Sequence, residues 1–355
     1  MNRLFLTATI MLAFPVMSAA EAQDPTQYHD TPIATAKSRI DFEMKPRPTD
    51  EKDFPAYIEY LVQVAEPRTE AERAADAELQ QRYRNAIVMD SLFVGAPGFP
   101  AGFSAELYET AIQHSIDNKF SFISATISNG PPEDTPDVVK ERMAGVNQYW
   151  KDQAGRYVQV FGLADIEQAR KSGKLAVMHN FQSMMTLGAD STAEEAVANL
   201  REYHELGLRQ LNFTYNIDTP YADGGVSNSD GTDQGVHKLG EAVVKEMNKL
   251  GIVVDCSHSS NQTCIEAAAM TRKPMIMSHS NLMTYQPIDR NVSDQAVKAV
   301  AGTGGVICVN FIGGFLNPQG LARPYDIAKH VQYIRNLVGP EFLCHGSDYV
   351  YNYAD

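Results

Sequence analysis

The chain has little cysteine, no excess of positive charge and, past its first residues, no long apolar run. Its four cysteines are Cys256, Cys264, Cys308 and Cys344, and no two form a C-x-x-C pair. A cysteine-based metal centre is therefore disfavoured. Three of them fall inside apolar, strand-like runs, where a thiol behaves as a small hydrophobe. Free thiols are the expectation, although an even count in an exported chain also permits disulfides. Lys plus Arg number 30 against 44 Asp plus Glu, a formal charge of −14 over 355 residues. Such a surface repels phosphate backbones and argues against nucleic-acid binding. No G-x-G-x-x-G turn follows the first apolar run, and no G-x-S-x-G elbow occurs. Dinucleotide-binding folds and α/β-hydrolases are disfavoured accordingly.

The N-terminus reads "MNRLFLTATIMLAFPVMSAAEAQ". Arg3 supplies the charge, Leu4 to Val16 the apolar core, and Ala20-Glu21-Ala22 a small-x-small cleavage site. This pattern is that of a secretory signal peptide over residues 1–22, which places the mature protein in the periplasm or outside the cell. The apolar run is too short to cross about 30 Å of hydrocarbon, and no other stretch resembles a transmembrane segment. Residues 23–84 read as a leader followed by a helical extension. A T-x-x-E capping box, Thr69 and Glu72, opens its helix, which is expected to pack on the main domain.

From residue 85 to 355, apolar β-branched runs alternate with helical patterns. The runs occupy 85–92, 120–127, 175–181, 209–215, 252–258, 274–280, 304–311 and 341–349. "AEEAVANLREYHELG" and "GEAVVKEMNKLG" show helical spacing with a Gly stop. A short extra run, "RYVQVFG", reads as a peripheral strand. Eight runs separated by helices predict a parallel α/β sheet, and eight strands close a TIM-type (β/α)8 barrel.

Most of these runs end in a group that can coordinate, donate or ionise: Asp90, Gln182, Tyr215, His258, His279, Asn310 and Asp348. In a barrel such residues converge on the C-terminal rim, where active sites form. Alternation predicts that Val254 and Cys256 share the face of His258, that Cys308 shares that of Asn310, and that Cys344 and Gly346 share that of Asp348. The layer below the rim would then be small and apolar. His345 would point outward, and Asp90 is read as structural.

The ordered blocks "LNFTYNIDTPYAD", "VVKEMNKLGIVVDCSHSS", "KPMIMSHSN", "DRNVSDQAV" and "GGVICVNF" resemble the membrane (renal-type) dipeptidases, peptidase family M19. The likeness runs over roughly residues 85–355. It implies a barrel holding two zinc ions that hydrolyses dipeptides. In that resemblance His258 and His279 bind the second zinc, Asp348 helps activate water, and Arg290 holds the substrate carboxylate.

The departures matter as much. The first-strand His-x-Asp positions are Leu92 and Val94, the bridging glutamate is Gln182, and the substrate-contacting histidine is Tyr215. A neutral amide brings no charge to a bridge between cations. The two-zinc site is therefore not intact, and one zinc at most is expected, held by His258, His279 and Gln182. Asp348 would accept a proton, Arg290 would clamp a carboxylate and Tyr215 would donate to an oxyanion. The substrate is a dipeptide or similar small molecule, with a non-peptidase step or simple binding as alternatives, and a homodimer is left open. No helix follows the eighth run to cover it, so the sequence is expected to be cut short there.

Overall fold

The eight apolar runs become eight parallel strands, laid side by side in the order in which they occur. The structure is a computed structural model and describes residues 70–97, 105–318, 320 and 324–348. The strands are β1 (Met89–Phe93), β2 (Phe122–Ser128), β3 (Tyr157–Gln159), β4 (Leu175–Phe181), β5 (Leu208–Asn212), β6 (Val253–Asp255), β7 (Ile276–Ser280), β8 (Val306–Val309) and β9 (Leu343–His345). The sheet runs β1-β2-β4-β5-β6-β7-β8-β9, and β3 pairs only with β4. It is the peripheral strand of the "RYVQVFG" run. It borders the start of β4, on the edge that β5 occupies from His179 onward.

Among the described residues no ladder joins β1 to β9, so the barrel keeps an unsealed seam. Polar groups bridge it instead. Asp90 accepts from the Ser347 amide at 2.9 Å and the Ser347 hydroxyl at 2.5 Å. Ser91 donates its hydroxyl to the carbonyls of His345 and Ser278, and the Asp348 amide donates to Leu92 at 3.1 Å. Asp90 is thus structural, as its sequence position suggested. Burial raises its pKa, against the lowering effects of His345, Ser347 and Leu92.

The helices form for local reasons that the sequence shows. Thr192 and Glu195 make a reciprocal capping box at the start of Ala193–Glu205, with contacts of 2.8 and 3.3 Å. Lys238–Leu250 stops at Gly251, whose φ of 76° costs a glycine little. This helix buries Val243, Val244 and Met247 against the sheet. The main core lies between strands and helices, with Ile123, Ile127, Val177, Leu211, Met277 and Ile307 fully buried. The extension helix is described over Glu70–Arg82, and its described side chains are exposed. The signal-peptide residues, Thr69 and residues 349–355 lie outside the described residues.

Two expectations are corrected. All four cysteines are disulfide-bonded, as Cys256–Cys264 and Cys308–Cys344. Cys308 and Cys344 are register partners on β8 and β9. Cys256 follows β6 and faces the next helix, Asn261–Met270, which carries Cys264. The pairing depended on strand register and helix placement, which composition does not carry. The second correction is to the barrel interior, which is polar. Ser124 donates to Gln210 (3.0 Å), Gln210 to Asp255 (2.8 Å), Asn180 to Ser124 (2.9 Å) and Thr126 to Asn180 (3.0 Å). Because Ser124, Thr126, Asn180 and Gln210 find partners on one another and on Asp255, much of the desolvation cost of these groups is offset.

Candidate functional site

Alternation along β6 points Asp255 and Ser257 into the lumen, while Val254 and Cys256 face the helices. By that rule His258 would turn outward with Cys256. It does not, because its backbone takes φ 68°, a left-handed conformation costing a non-glycine residue about 1–2 kcal/mol. That turn re-aims the ring at the rim, so the shared-face expectation for His258, Cys256 and Val254 fails. On β7 the register is irregular between Met277 and Ser280, and the Ser278 hydroxyl meets Nδ1 of His279. Asp348 also has positive φ, 59°. Gly346 faces the lumen as expected: a Cβ there would strike the Ser278 carbonyl and the Ser91 hydroxyl. His345 faces outward between the rings of Phe120 and Phe311.

The two imidazoles meet. Nε2 of His258 lies 2.7 Å from Nε2 of His279. Nδ1 of His258 contacts Asn216 Oδ1 at 2.7 Å, and Nδ1 of His279 contacts the Ser278 hydroxyl at 2.7 Å. Tyr215 stacks on His258, ring centres 4.3 Å apart at 26°. Burial, then the charge of Arg290, holds both histidines well below the ordinary imidazole range, with His279 adding to the shift on His258.

Arg290 is 8% exposed, sits 5.3 Å over Phe315 and donates Nη2 to the His279 carbonyl at 2.7 Å. Its Nε and Nη1 are buried without a partner. A half-satisfied buried guanidinium calls for an anion, since an unmet charged donor costs more than a neutral one. Asp348 accepts from Asn310 at 2.8 Å. Burial pushes its pKa up to about 6, against the pull of Arg290 and Asn310 and with a further push from Asp90. The Tyr215 hydroxyl is raised by burial and by Asp348, while Arg290 and a hydrogen bond with Asn129 lower it.

His258, His279, Arg290, Asp348 and Tyr215 thus converge on one rim. Gln182 stands apart from these contacts: its amide nitrogen donates to Thr126 at 3.2 Å, and its Oε1 is buried and unpartnered. Sequence reasoning missed Asn216, Asp255 and Ser278. Asn216, at φ 67°, had a visible signal, because asparagine tolerates that conformation.

Two zinc ions do not fit. Leu92 is fully buried and apolar, Val94 brings no donor, and among the described residues no three His, Cys, Asp or Glu side chains are placed to hold an ion. Of the donor types present, two imidazole nitrogens and the unmet Gln182 oxygen suit one ion at most. Two nitrogens on a single tetrahedral zinc stand roughly 3.3 Å apart. At 2.7 Å the rings are instead hydrogen-bonded to each other.

The membrane dipeptidase family, peptidase family M19, matches residues 112–352, and the chain belongs to that family. An uncharacterized dipeptidase of Schizosaccharomyces pombe is 34% identical over 183 residues, 51% of this chain and 42% of the relative. The chain thus spans less than half the length of that relative. Among solved structures, an amidohydrolase from Pseudomonas aeruginosa superposes with a TM-score of 0.66 at 22% identity, covering 78% of each chain. A metallopeptidase from Rhodobacter sphaeroides, solved with a phosphinate mimic of the dipeptide L-Ala-D-Ala, gives 0.59 at 20% identity, covering 74% of this chain and 86% of its own. Both likenesses are of fold.

Proposed function

We propose that this protein is an exported hydrolase of dipeptides or small peptide-derived amides that works with at most one zinc ion. The observation that carries the reading is the pair of Nε2 atoms 2.7 Å apart, beside a buried arginine with two unmet donors. His258 and His279 would hold the ion, with Gln182 Oε1 as a weaker third donor. Such an ion supplies polarisation of the scissile carbonyl and a water of lowered pKa.

The chain's own residues do the rest. Arg290 receives the substrate carboxylate on its free donors and so fixes the register of the amide. Asp348, with a pKa near neutrality, takes a proton from the attacking water and returns it to the leaving amine. Tyr215, flat against His258, orients that ring and offers its hydroxyl to the developing oxyanion. Export is supported by the N-terminal signal pattern and by the two disulfides, which persist in oxidising compartments. The acidic charge favours a small-molecule partner over nucleic acid, and among the described residues no helix is long and apolar enough to cross a membrane.

A second reading is favoured by Leu92 and Val94: a family member repurposed for a non-peptidase step on one peptide-derived substrate, or for binding without turnover. The test compares dipeptides with free and amidated C-termini, with one equivalent of zinc added. Hydrolysis of the free acid, strongly preferred over the amide, supports the first reading. Binding of the free acid without turnover sinks it in favour of the second.

A further inference from the structure

Arg290 and the two residues after it are buried, and they lie between two half-buried anchors, Asp289 and Ser293. Both anchors lead to the same pair of side-chain amides. Asn228, in the segment between β5 and the helix Lys238–Leu250, donates Nδ2 to the Asp289 carbonyl at 2.7 Å. Its Oδ1 accepts from the backbone amide of Asn261 at 2.7 Å and from the Asn261 side chain at 2.9 Å. Asn261 Oδ1 in turn accepts from the Ser293 amide at 2.8 Å. The circuit closes through residues 289–293 themselves. A carbonyl only accepts and a backbone N–H only donates, so neither side-chain amide can turn over without setting like against like.

The two anchors are unequal. After Arg290 the chain is held several times over. Val292 donates to the Asn281 carbonyl at 2.8 Å, and Asn291 Nδ2 donates to the carbonyls of Gln286 and Phe315, each at 2.8 Å. Before Arg290, Asp289 makes no hydrogen bond among the described residues except the one from Asn228. The turn that carries Asn228 also reaches the other side of the site. Gly225 donates its amide to the His258 carbonyl at 2.8 Å, and Asn228 donates its own to the Gly225 carbonyl at 2.9 Å. A Cβ on Gly225 would lie 2.7 Å from the Asp289 carbonyl oxygen, so a glycine lets this turn sit between the two backbones.

We propose that Asn228 is a positioning residue for Arg290. It fixes the backbone just ahead of the arginine, so that the two unmet donors of the guanidinium keep one place relative to His258. The proposal rests on the reading of Arg290 as the clamp for a substrate carboxylate. A fork of donors grips a carboxylate only when its plane and its distance are right, and a small displacement of the clamp is felt in binding. Asn228 thus acts on the preference for a free C-terminus without touching substrate. Asn261 completes the tie by joining the helix after β6 to the far end of the same segment.

The test uses the full chain and two variants. Asn228→Asp keeps the shape and the acceptor arm to Asn261, but sets an oxygen against the Asp289 carbonyl. It should raise KM for a dipeptide with a free C-terminus roughly tenfold and leave kcat within about twofold. KM for the C-terminal amide of the same dipeptide should not move. Asn228→Ala, which loses the bond without adding repulsion, should fall between Asn228→Asp and the wild type. In an Arg290→Met background neither change should have a further effect on KM. Equal rises for acid and amide, or effects that add to that of Arg290→Met, would overturn the proposal. A second measurement needs no turnover. In ligand-free protein labelled with 15N-arginine, the Nε–H of Arg290, identified by its loss in Arg290→Met, should exchange slowly with solvent. Both Asn228 variants should speed that exchange by about tenfold or more. Unchanged exchange in both would overturn the proposal even if the protein hydrolyses nothing. Faster exchange in a protein whose wild type treats acid and amide alike would uphold the grip of Asn228 on Arg290 and sink only the functional reading.

Discussion

Nε2 of His258 and Nε2 of His279, 21 residues apart in the chain, stand 2.7 Å from one another at the barrel rim. The approach depends on the left-handed backbone of His258, φ 68°. Glycine adopts that conformation freely and alanine does not. His258→Gly should therefore be more stable than His258→Ala by about 1 kcal/mol, measured by urea denaturation. Equal stabilities would mean that the backbone there is not strained.

Asp348 is the titrating group of the site. Its ordinary pKa of 3.8 rises to about 6 in the fold. Below 3.8 the carboxyl is protonated folded or unfolded, and its contribution to stability is full. That contribution is lost as pH rises through about 6, where the folded state must ionise a buried group. Asp348→Asn should thus raise stability at pH 8 by roughly 1–3 kcal/mol and change it little at pH 4. Hydrolysis by the wild type should climb with pH through about 6, since the carboxylate is the base, and the Asn variant should lose that limb. A thermal-melt series over pH checks the first statement, and initial rates over the same range check the second.

Arg290 carries two unmet buried donors. Arg290→Met fills similar volume without them, and should leave the melting temperature unchanged or raise it. KM for carboxylate-bearing substrates should rise by about one to two orders of magnitude, the loss of a charge-assisted contact of roughly 1.5–3 kcal/mol. An amidated substrate should be affected far less. A parallel rise in KM for both would show that Arg290 holds structure rather than substrate.

The disulfides Cys256–Cys264 and Cys308–Cys344 tie β6 to its following helix and β8 to β9. Thiol titration of the exported, denatured protein should find no free thiol. Reduction should lower stability by about 2–4 kcal/mol per bridge. Four titratable thiols would contradict the pairing.

The architecture was legible because its signals are local. Apolar runs broken by capped, Gly-terminated helices fixed the strand order, and even the peripheral strand at Tyr157–Gln159 stood out. Tyr215, His258, His279 and Asp348 were legible as strand ends and do converge, while Arg290 was legible only through the family resemblance. What was not legible lay in the backbone and in register. Simple alternation put His258 with Cys256, and a left-handed residue undid it. The polar lumen had a trace in the period-two pattern Ser124, Thr126, Ser128 of β2, hidden by equally buried Ile123, Ala125 and Ile127 between them. The cysteine pairs needed knowledge of which elements are neighbours, and the meeting of His258 with His279 needed the register of β6 against β7.

The most direct measurement is the zinc content of the purified protein, taken beside hydrolysis of a small dipeptide panel by the wild type and His258→Ala. The account predicts at most one zinc per chain in the wild type, with hydrolysis that the His258→Ala variant loses together with the ion. Two zinc ions per chain, or hydrolysis that persists undiminished in that variant, would contradict it.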